Sequence, residues 1–248
     1  MLELMDQGLR SHYISGLIEV DVTKGRQLII EYEEKSGKDL SFTAWIIKCI
    51  AQAVSEHRNV HAIRKGKRFI IFKDVDVSVM VGRRIDGEVE AYTYTVRKAN
   101  EKTANEIQDE LWGVRSSMDG TISDTTDQKM MQSLYALPKF LRDFLLWRKF
   151  RTDPFFVKKQ IGTVTVTAVG MCSKGKGGWA VPIDISPVLF ALGGISKKPA
   201  VVEDNIEIRE FLCVTILMNH DVIDGGPAAR FVARFTELVE SVFGIDID

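Results

Sequence analysis

The segment "MNHDVIDGG", residues 218–226, holds the side chains of this chain that are best suited to chemistry. His220 is one of four histidines, and Asp224 follows it by four residues, ahead of Gly225 and Gly226. An imidazole titrates close to neutral pH, so it can accept a proton and return it. The same residue types also suit a polar turn between a strand and a helix. Both interpretations are open on this segment alone.

Other polar motifs indicate chemistry less specifically. The segment "SKGKGGW", residues 173–179, lacks the Gly-Lys-Ser/Thr ending of a P-loop, so a mobile turn is the simpler interpretation. His57 and His61 flank the end of a predicted helix without a metal-ligand partner at suitable spacing, which favours a helix C-terminal or surface role. The basic residues of the 142–159 stretch alternate with acidic and aromatic residues, which favours a solvated helix face over a nucleic-acid surface.

Composition narrows the class of protein. The 248 residues include 33 basic and 34 acidic ones, a net charge of −1, so no overall attraction to nucleic acid or anionic membrane is expected. No apolar run approaches the roughly 20 residues of a membrane span, and "MLELMDQGLR" lacks the pattern of a signal peptide. Cys49, Cys172 and Cys213 are odd in number and lie in apolar surroundings, which favours reduced core thiols over a disulfide or metal site. We therefore expect a cytoplasmic protein without a metal.

The first two thirds of the chain contain alternating helix and strand patterns. Helical spacing of apolar residues predicts a helix over 41–56, capped by Ser41, and another over 100–114 that buries Ala104, Ile107, Leu111 and Val114. Alternating valines predict a strand over 75–82, and "EAYTYTV", residues 90–96, predicts a second strand. A polar connection, residues 119–128, is expected next, and then a helix that extends to about Phe150.

The last third is rich in strand patterns. Predicted strands cover 161–170, 188–195, 199–208 and 211–219, with a turn at Asp204 and Asn205. A final helix is predicted over 227–243, with Pro227 near its first turn. No repeat, low-complexity tract or Gly/Ser linker divides the chain, so residues 1–248 are predicted to form a single domain. The fold class predicted from these elements is α+β, with a mixed sheet covered by helices.

The run "LCVTILMNHDVIDGGPAARFVARFTELVE" resembles the HxxxDG signature and following helix of dihydrolipoyl acyltransferases. These enzymes form the catalytic core of 2-oxoacid dehydrogenase complexes, and chloramphenicol acetyltransferase shares their fold. The likeness continues in order through "IGTVTVTAVGM" and "GGWAVPIDISPVLFALGGISKKPAVVEDNIEI", and upstream through "VDVTKGRQLI", "LSFTAWIIKCIAQAVSEHRNVHA" and "DVDVSVMV". It covers nearly the whole chain, and it implies a chloramphenicol acetyltransferase-like fold and a trimer.

This resemblance implies transfer of an acyl group between coenzyme A and a thiol, hydroxyl or amine. His220 matches the general base, and Thr167 matches the hydroxyl residue directed at the oxyanion, a donor whose loss costs roughly 3 kcal/mol. Asp224 matches the aspartate that holds the site's shape through an ion pair with an arginine, for which Arg10 is a candidate. Gly225 is expected to permit the tight turn into the last helix. For Thr167, the alternation with Thr163 and Thr165 leaves a merely polar strand face open.

The implied trimer divides the site between subunits. In this arrangement His220 of one chain meets Thr167 of a neighbouring chain, so an isolated subunit is expected to be inactive. A lipoyl group supplied by another protein is a possible acceptor, and other components of a 2-oxoacid dehydrogenase complex are possible partners.

The chain also departs from the pattern of this family. Asp221 occupies the position of a usual arginine, Asn219 that of a second histidine in chloramphenicol acetyltransferase, and "EAYTYTV" that of a proline-containing strand. Residues 1–248 include no lipoyl or peripheral-subunit-binding domain, and the acidic ending "GIDID" differs from the apolar ends that join trimers into cages. We therefore expect a stand-alone trimer. A noncatalytic structural or interaction subunit that keeps the trimeric fold is the alternative.

Overall fold

A mixed six-stranded sheet forms the centre of the protein in the computed structural model, which describes residues 11–85, 88–116, 148–150, 152–170 and 176–245. Among these residues the strands and helices are, in chain order, β1 (Tyr13–Asp21), α1 (Thr23–Ser36), α2 (Phe42–Glu56), β2 (Ile63–Lys65), β3 (Arg68–Ile70), β4 (Val77–Ile85), β5 (Glu88–Val96), α3 (Ala104–Ser116), α4 (Pro154–Ile161), β6 (Val164–Ala168), β7 (Val188–Val202), β8 (Asn205–Asn219) and α5 (Gly225–Glu240).

The strand order across the sheet is β1-β8-β7-β6-β4-β5. Strand β6 runs parallel to both β4 and β7, whereas the other neighbouring pairs are antiparallel. Strands β2 and β3 form a separate antiparallel hairpin. This confirms the predicted mixed sheet covered by helices.

Helices α2 and α5 cover one face of this sheet. The ring of Phe190 in β7 packs edge-on against Phe231 and Phe235 of α5, with ring centres 6.0 and 5.0 Å apart. Both phenylalanines of α5 are fully buried and lie one helical turn apart, so a single stripe of the helix reaches the sheet. Because α5 begins directly after the turn that contains His220, this packing fixes one end of that turn.

On the opposite face of the sheet, among the described residues, the segment around Ala180 packs over the strands. Leu189, Ala191 and Leu217 are buried there beneath Tyr13 and Ala180. The Trp179 indole nitrogen donates to the Ile18 carbonyl oxygen at 3.0 Å, and the Tyr13 hydroxyl donates to the Ser186 carbonyl oxygen at 2.7 Å. Burial, aided by the negative charge of Asp184, raises the pKa of Tyr13 above its usual value. We call this side the open face.

The predicted helix over 100–114 is α3, and its four expected core residues are buried. Helix α2 begins as predicted at Ser41, whose hydroxyl accepts from the Ala44 amide at 3.4 Å. The predicted strands over 75–82 and 90–96 correspond to β4 and β5. The polar connection of residues 119–128 and most of the helix expected before Phe150 lie outside the described residues.

Three predictions of the last third needed correction. Two long strands, β7 and β8, replace the three shorter strands that were predicted over 188–195, 199–208 and 211–219. The turn between them lies at Glu203 and Asp204. The strand expected from residue 161 begins at Val164 instead, because α4 occupies the preceding residues. The Asp153 carboxylate caps α4 by accepting from the Phe155 and Phe156 amides, and Pro154 fits its first turn.

Strand β1, helix α1 and the β2–β3 hairpin had not been predicted as elements. In the described part of the chain no helix is long and apolar enough to cross a membrane.

Candidate functional site

His220 lies in a tight turn between β8 and α5. Its amide donates to the His12 carbonyl oxygen at 2.7 Å, which extends the β1–β8 ladder by one residue. The amides of Val222 and Ile223 both donate to the Asn219 carbonyl oxygen, at 3.0 and 3.2 Å, and close the turn. Ile223 is buried in the main core, whereas His220 is exposed. The turn therefore has an apolar anchor and presents the imidazole at the surface of the subunit.

Asp224 occupies the N-cap position of α5 in an extended conformation, with φ −83° and ψ 165°. Its side chain makes no capping hydrogen bond, although its carbonyl oxygen accepts from the Ala228 amide at 3.0 Å. The exposed carboxylate is thus not used in holding its own helix. Arg10, its predicted partner, lies outside the described residues, so their ion pair stays a prediction.

Gly225 differs from the expectation that it permits a tight turn. It is the first residue of α5, and it is not among the glycines with a left-handed backbone. A Cβ added there would meet no atom within 4 Å. The turn is closed by the hydrogen bonds from the Val222 and Ile223 amides to the Asn219 carbonyl oxygen, neither of which involves residue 225.

Thr167 lies near the end of β6 on the open face. Its neighbours Val164 and Val166 point into the main core, and the alternation of a strand directs Thr167 to the other side. There it is half-buried and sits opposite Ala191 of β7, which in turn sits opposite Thr215 of β8. This position is compatible with a hydroxyl directed at an oxyanion and also with a simple polar face of the strand.

The structure does not bring Thr167 and His220 together within one chain. The strand register aligns Thr167 with Thr215, five residues before His220 and two strands away. With a rise of about 3.3 Å per residue and about 4.8 Å between strands, the two residues are roughly 20 Å apart. No hydrogen bond or direct proton transfer can connect groups at that distance.

A cleft of about 380 Å³ lies beside the His220 turn. It is formed where the end of α2 and the short 3₁₀ helix Arg58–His61 meet the start of α5. Its lining consists of Glu56, His57, Arg58, Asn59, Val60, Ile223, Pro227 and Arg230. Ile223 and Pro227 belong to the same turn and helix start as His220, so the cleft adjoins the His220 turn, although His220 itself is not part of the lining.

The cleft carries an excess of positive charge. Its one carboxylate, Glu56, is bound by both sides of the Arg234 guanidinium, at 2.6 and 3.2 Å, and this contact lowers the pKa of Glu56. Arg58 and Arg230 form no ion pair with a carboxylate of the described residues. Guanidinium groups bind phosphate through paired N–H donors. Arg58 and Arg230 are therefore the described residues best placed to hold a phosphate-bearing cofactor.

Sequence reasoning did not identify this cleft. His57 had been assigned to a helix C-terminus, and it does occupy the C-cap position of α2, but it also lines the cleft. Arg230 follows Pro227 by three residues on a helix, so both lie on one side of α5. That spacing is the one local signal for Arg230, whereas the approach of residues 56–60 to α5 is visible only in the fold.

The other candidate motifs have structural roles. His61 is fully buried, which corrects the expected surface or helix-end role, and its ring nitrogens lie 3.0 Å from the Thr163 hydroxyl and 3.2 Å from the Phe72 carbonyl oxygen. Cys49 and Cys213 are buried free thiols, as predicted, and Cys172 lies outside the described residues. No cluster of three potential metal ligands occurs among the residues that the structure describes.

The described parts of the two basic or glycine-rich segments are packed against the fold. Gly178 pairs with Gly194 of β7, its amide lying 3.3 Å from the Cys213 sulfur, while 171–175 lie outside the described residues. The Lys158 ammonium lies 3.7 Å from carboxylate oxygens of Asp74 and Asp76. These contacts favour structural roles for the segments.

Comparison with known proteins relates this geometry to one family. The profile of the 2-oxoacid dehydrogenases acyltransferase catalytic domain matches residues 4–138 and 158–245. The lipoamide acyltransferase component of the branched-chain alpha-keto acid dehydrogenase complex of Bacillus subtilis (strain 168) is 24% identical over 231 residues, which are 91% of this chain and 46% of that protein. The chain thus spans about half the length of that relative.

Solved structures show the same fold. The cubic core of the pyruvate dehydrogenase multienzyme complex superposes with a TM-score of 0.69 at 16% identity, covering 98% of this chain and 88% of that one. A chloramphenicol acetyltransferase superposes with a TM-score of 0.54 at 13% identity, covering 97% and 93%. The fold is therefore chloramphenicol acetyltransferase-like. By its sequence profile, the chain belongs to the family of 2-oxoacid dehydrogenase acyltransferase catalytic domains.

Proposed function

We propose that this protein transfers an acyl group between coenzyme A and a thiol acceptor of the dihydrolipoyl type. The observation that carries the proposal is the position of the His220 turn directly beside a cleft that is rich in guanidinium groups. A base and a site for phosphate are two of the parts that an acyl-coenzyme A reaction needs from the protein, and an oxyanion donor is the third. Membership of the acyltransferase family supports the same reaction.

In this reaction His220 takes the proton from the acceptor thiol as its sulfur attacks the thioester carbonyl carbon. Negative charge then develops on the carbonyl oxygen, and the hydroxyl of Thr167 donates a hydrogen bond to it. When the bond between carbon and the coenzyme A sulfur breaks, His220 returns the proton to that sulfur. The exposed imidazole at the end of β8 is accessible for both proton transfers.

The positive cleft suits the donor rather than the acceptor. Coenzyme A carries several phosphate charges, whereas a dihydrolipoyl group carries none. Arg58, Arg230 and the imidazole of His57 would hold the phosphates while the thioester end of the donor extends toward His220. Asp224 and Arg10 retain their expected role in shaping the site, and Gly225 is not needed for the turn.

A homotrimer completes the site in this proposal. Within one chain Thr167 and His220 are roughly 20 Å apart, so the hydroxyl must come from a second copy. An apolar surface for such contact is available at the β7–β8 hairpin, which extends beyond the end of β1. Val201, Ile206 and Ile208 on this hairpin are 75%, 80% and 75% exposed in the single chain. Burial of these side chains against another copy would favour association.

The acceptor group in this proposal is supplied by another protein. The Bacillus subtilis relative is named as a lipoamide acyltransferase component of a dehydrogenase complex. We propose by analogy that a lipoyl-bearing chain, together with other 2-oxoacid dehydrogenase components in the cytoplasm, is the physiological partner.

The test measures release of free coenzyme A thiol from acetyl-coenzyme A in the presence of dihydrolipoamide. His220→Ala is expected to lower kcat by about 10² to 10⁴ while the oligomeric state is unchanged. Arg230→Ala is the comparison variant, and it is expected to raise KM for acetyl-coenzyme A with little change in kcat.

Turnover that survives His220→Ala would remove the proposed base. Failure of the wild-type protein to bind any acyl-coenzyme A at millimolar concentration would overturn the enzymatic proposal, and the noncatalytic structural subunit would then account for the conserved fold.

A further inference from the structure

The two residues on either side of His220 are tied into a polar network. The Asn219 amide donates to the Pro187 carbonyl oxygen at 3.1 Å, which fixes the end of β8 against β7. The Asn219 side-chain oxygen accepts from the Asp221 amide at 2.9 Å. This is an Asx-turn, in which a side chain supplies the contact that a backbone carbonyl would otherwise make. Asn219 is thereby used in shaping the turn.

Asp221 is held from the other side by the residue that precedes β1. Its carboxylate oxygen lies 3.0 Å from Nδ1 of His12. The His12 carbonyl oxygen accepts from the His220 amide at 2.7 Å. A single residue of the N-terminal segment thus contacts the base through its backbone and the neighbour of the base through its side chain.

Among the described residues, the imidazole of His220 has no part in this network. Its backbone is fixed by His12 and its flanking residues by Asn219 and Asp221, so the network fixes the point from which the His220 side chain leaves the turn. Enzymes gain rate from such constraint, because a base must be held close to the geometry of proton transfer.

We propose that His12, Asn219 and Asp221 are positioning residues that hold the His220 turn in its reactive geometry. The inference rests on the proposed acyl transfer, and it gives a role to Asn219 and Asp221, two of the three places at which this chain departs from the family pattern. Asn219 and Asp221 act on the turn and leave the choice of acceptor to other residues.

The expected effect is modest because the contact is exposed. The His12 side chain is 79% exposed and that of Asp221 is 39% exposed, and water competes for pairs of this kind. Loss of the contact should therefore lower kcat by about three- to tenfold. The KM for acetyl-coenzyme A should not change, because neither residue lines the positive cleft.

The test is a double-mutant cycle on His12→Ala and Asp221→Ala. Because both substitutions break one contact, the double variant should be no slower than the slower single variant. His12→Gln keeps a donor for Asp221 and should recover most of the lost kcat. Glu101→Ala is the matched control, since it breaks another exposed ion pair, with Lys98 at 3.7 Å, and should leave kcat unchanged.

A second readout does not depend on activity. Hydrogen exchange at the amides of Val222 and Ile223 should be several-fold faster in Asp221→Ala and unchanged in Glu101→Ala. If wild-type protein has no acyltransferase activity, the proposed function fails while this exchange experiment still decides whether the network holds the turn. Unchanged exchange, or independent effects of the two substitutions on kcat, would overturn the positioning role.

Discussion

His61 and His220 differ in burial, and the difference separates a structural histidine from the proposed base. The His61 ring is fully buried, and both of its nitrogens are in contact with polar atoms. Burial lowers the pKa of His61 to about 4, although the hydrogen bond with the Phe72 carbonyl oxygen opposes this effect. The ring is therefore neutral at physiological pH and serves as a fixed link between two loops. His220 is exposed, and among the described residues no hydrogen bond is made by its ring.

The lowered pKa of His61 predicts a loss of stability in mild acid. The unfolded chain takes up this proton near the ordinary value of about 6.5, whereas the folded protein resists protonation until about pH 4. The free energy of unfolding should therefore fall as pH decreases from about 6.5 to 4, by up to about 3 kcal/mol from this residue. Urea unfolding at a series of pH values measures the slope.

The His61→Asn variant provides the comparison. It lacks the titrating ring, so its stability should depend less steeply on pH in this range, even though it is less stable at neutral pH. Acidic residues contribute their own slope to both proteins and cancel in the difference. Equal slopes in the two proteins would show that burial does not suppress protonation of His61.

The role of His61 could not be read from the sequence because its partner Thr163 is 102 residues away. His220 could be singled out because its signature is local, with the histidine, aspartate and glycines all within one turn. Local patterns therefore identified the proposed base, whereas the structural histidine was recognisable only after folding.

At the scale of elements, the packing of the segment around Gly178 against strand β7 requires a glycine at position 193. A Cβ at this position in β7 would lie 2.1 Å from the Gly178 carbonyl oxygen and 3.0 Å from that of Cys213. Both contacts are with backbone, which cannot turn aside as a flexible side chain can. The segment that covers the open face beside Thr167 thus depends on a glycine in β7.

Gly193→Ala should destabilise the protein by about 1 to 3 kcal/mol, because overlap of this size must displace one of the backbones. Thermal or urea unfolding measures the loss. Gly178→Ala is the matched control, since a Cβ at this exposed position meets nothing within 4 Å, and its effect should be within about 0.5 kcal/mol. Equal stability of the two variants would mean that the segment of Gly178 is free to move away from β7.

The periodic spacing of apolar residues was sufficient to predict elements that bury one face. It was insufficient where glycine or proline residues lie inside a long strand. Helix α3 and strand β4 were recognised because their apolar residues repeat at the spacing of a single buried face. Strands β7 and β8 were divided into shorter pieces because Gly193, Gly194 and Pro199 resemble breaks. In the fold a register shift between Leu192 and Ile195 absorbs the glycines, and the strand continues.

At the scale of the whole molecule, the sequence predicted His220 and Thr167 as candidate site residues but not the positive cleft that adjoins the His220 turn. The HxxxDG pattern lies within nine residues, whereas the positive cleft joins residues 56–60 to residues 223–230. Charge counts did not reveal it, because Arg234 neutralises Glu56 and leaves Arg58 and Arg230 as a local excess in a chain of net charge −1. The local charge of the cleft depends on which side chains form ion pairs in the folded protein.

Mixing two inactive variants tests the division of the site between subunits. In the proposed trimer each site takes His220 from one chain and Thr167 from its neighbour, so His220→Ala and Thr167→Ala chains can complement each other. Random assembly of equal amounts should leave about one site in four with both intact residues, and activity should recover to about a quarter of the wild-type value.

The mixture is prepared by unfolding and refolding the two proteins together, with each refolded alone as a control. Recovery that does not exceed the two separate activities would place both residues in a site formed by one chain, which a separation of roughly 20 Å within the chain argues against.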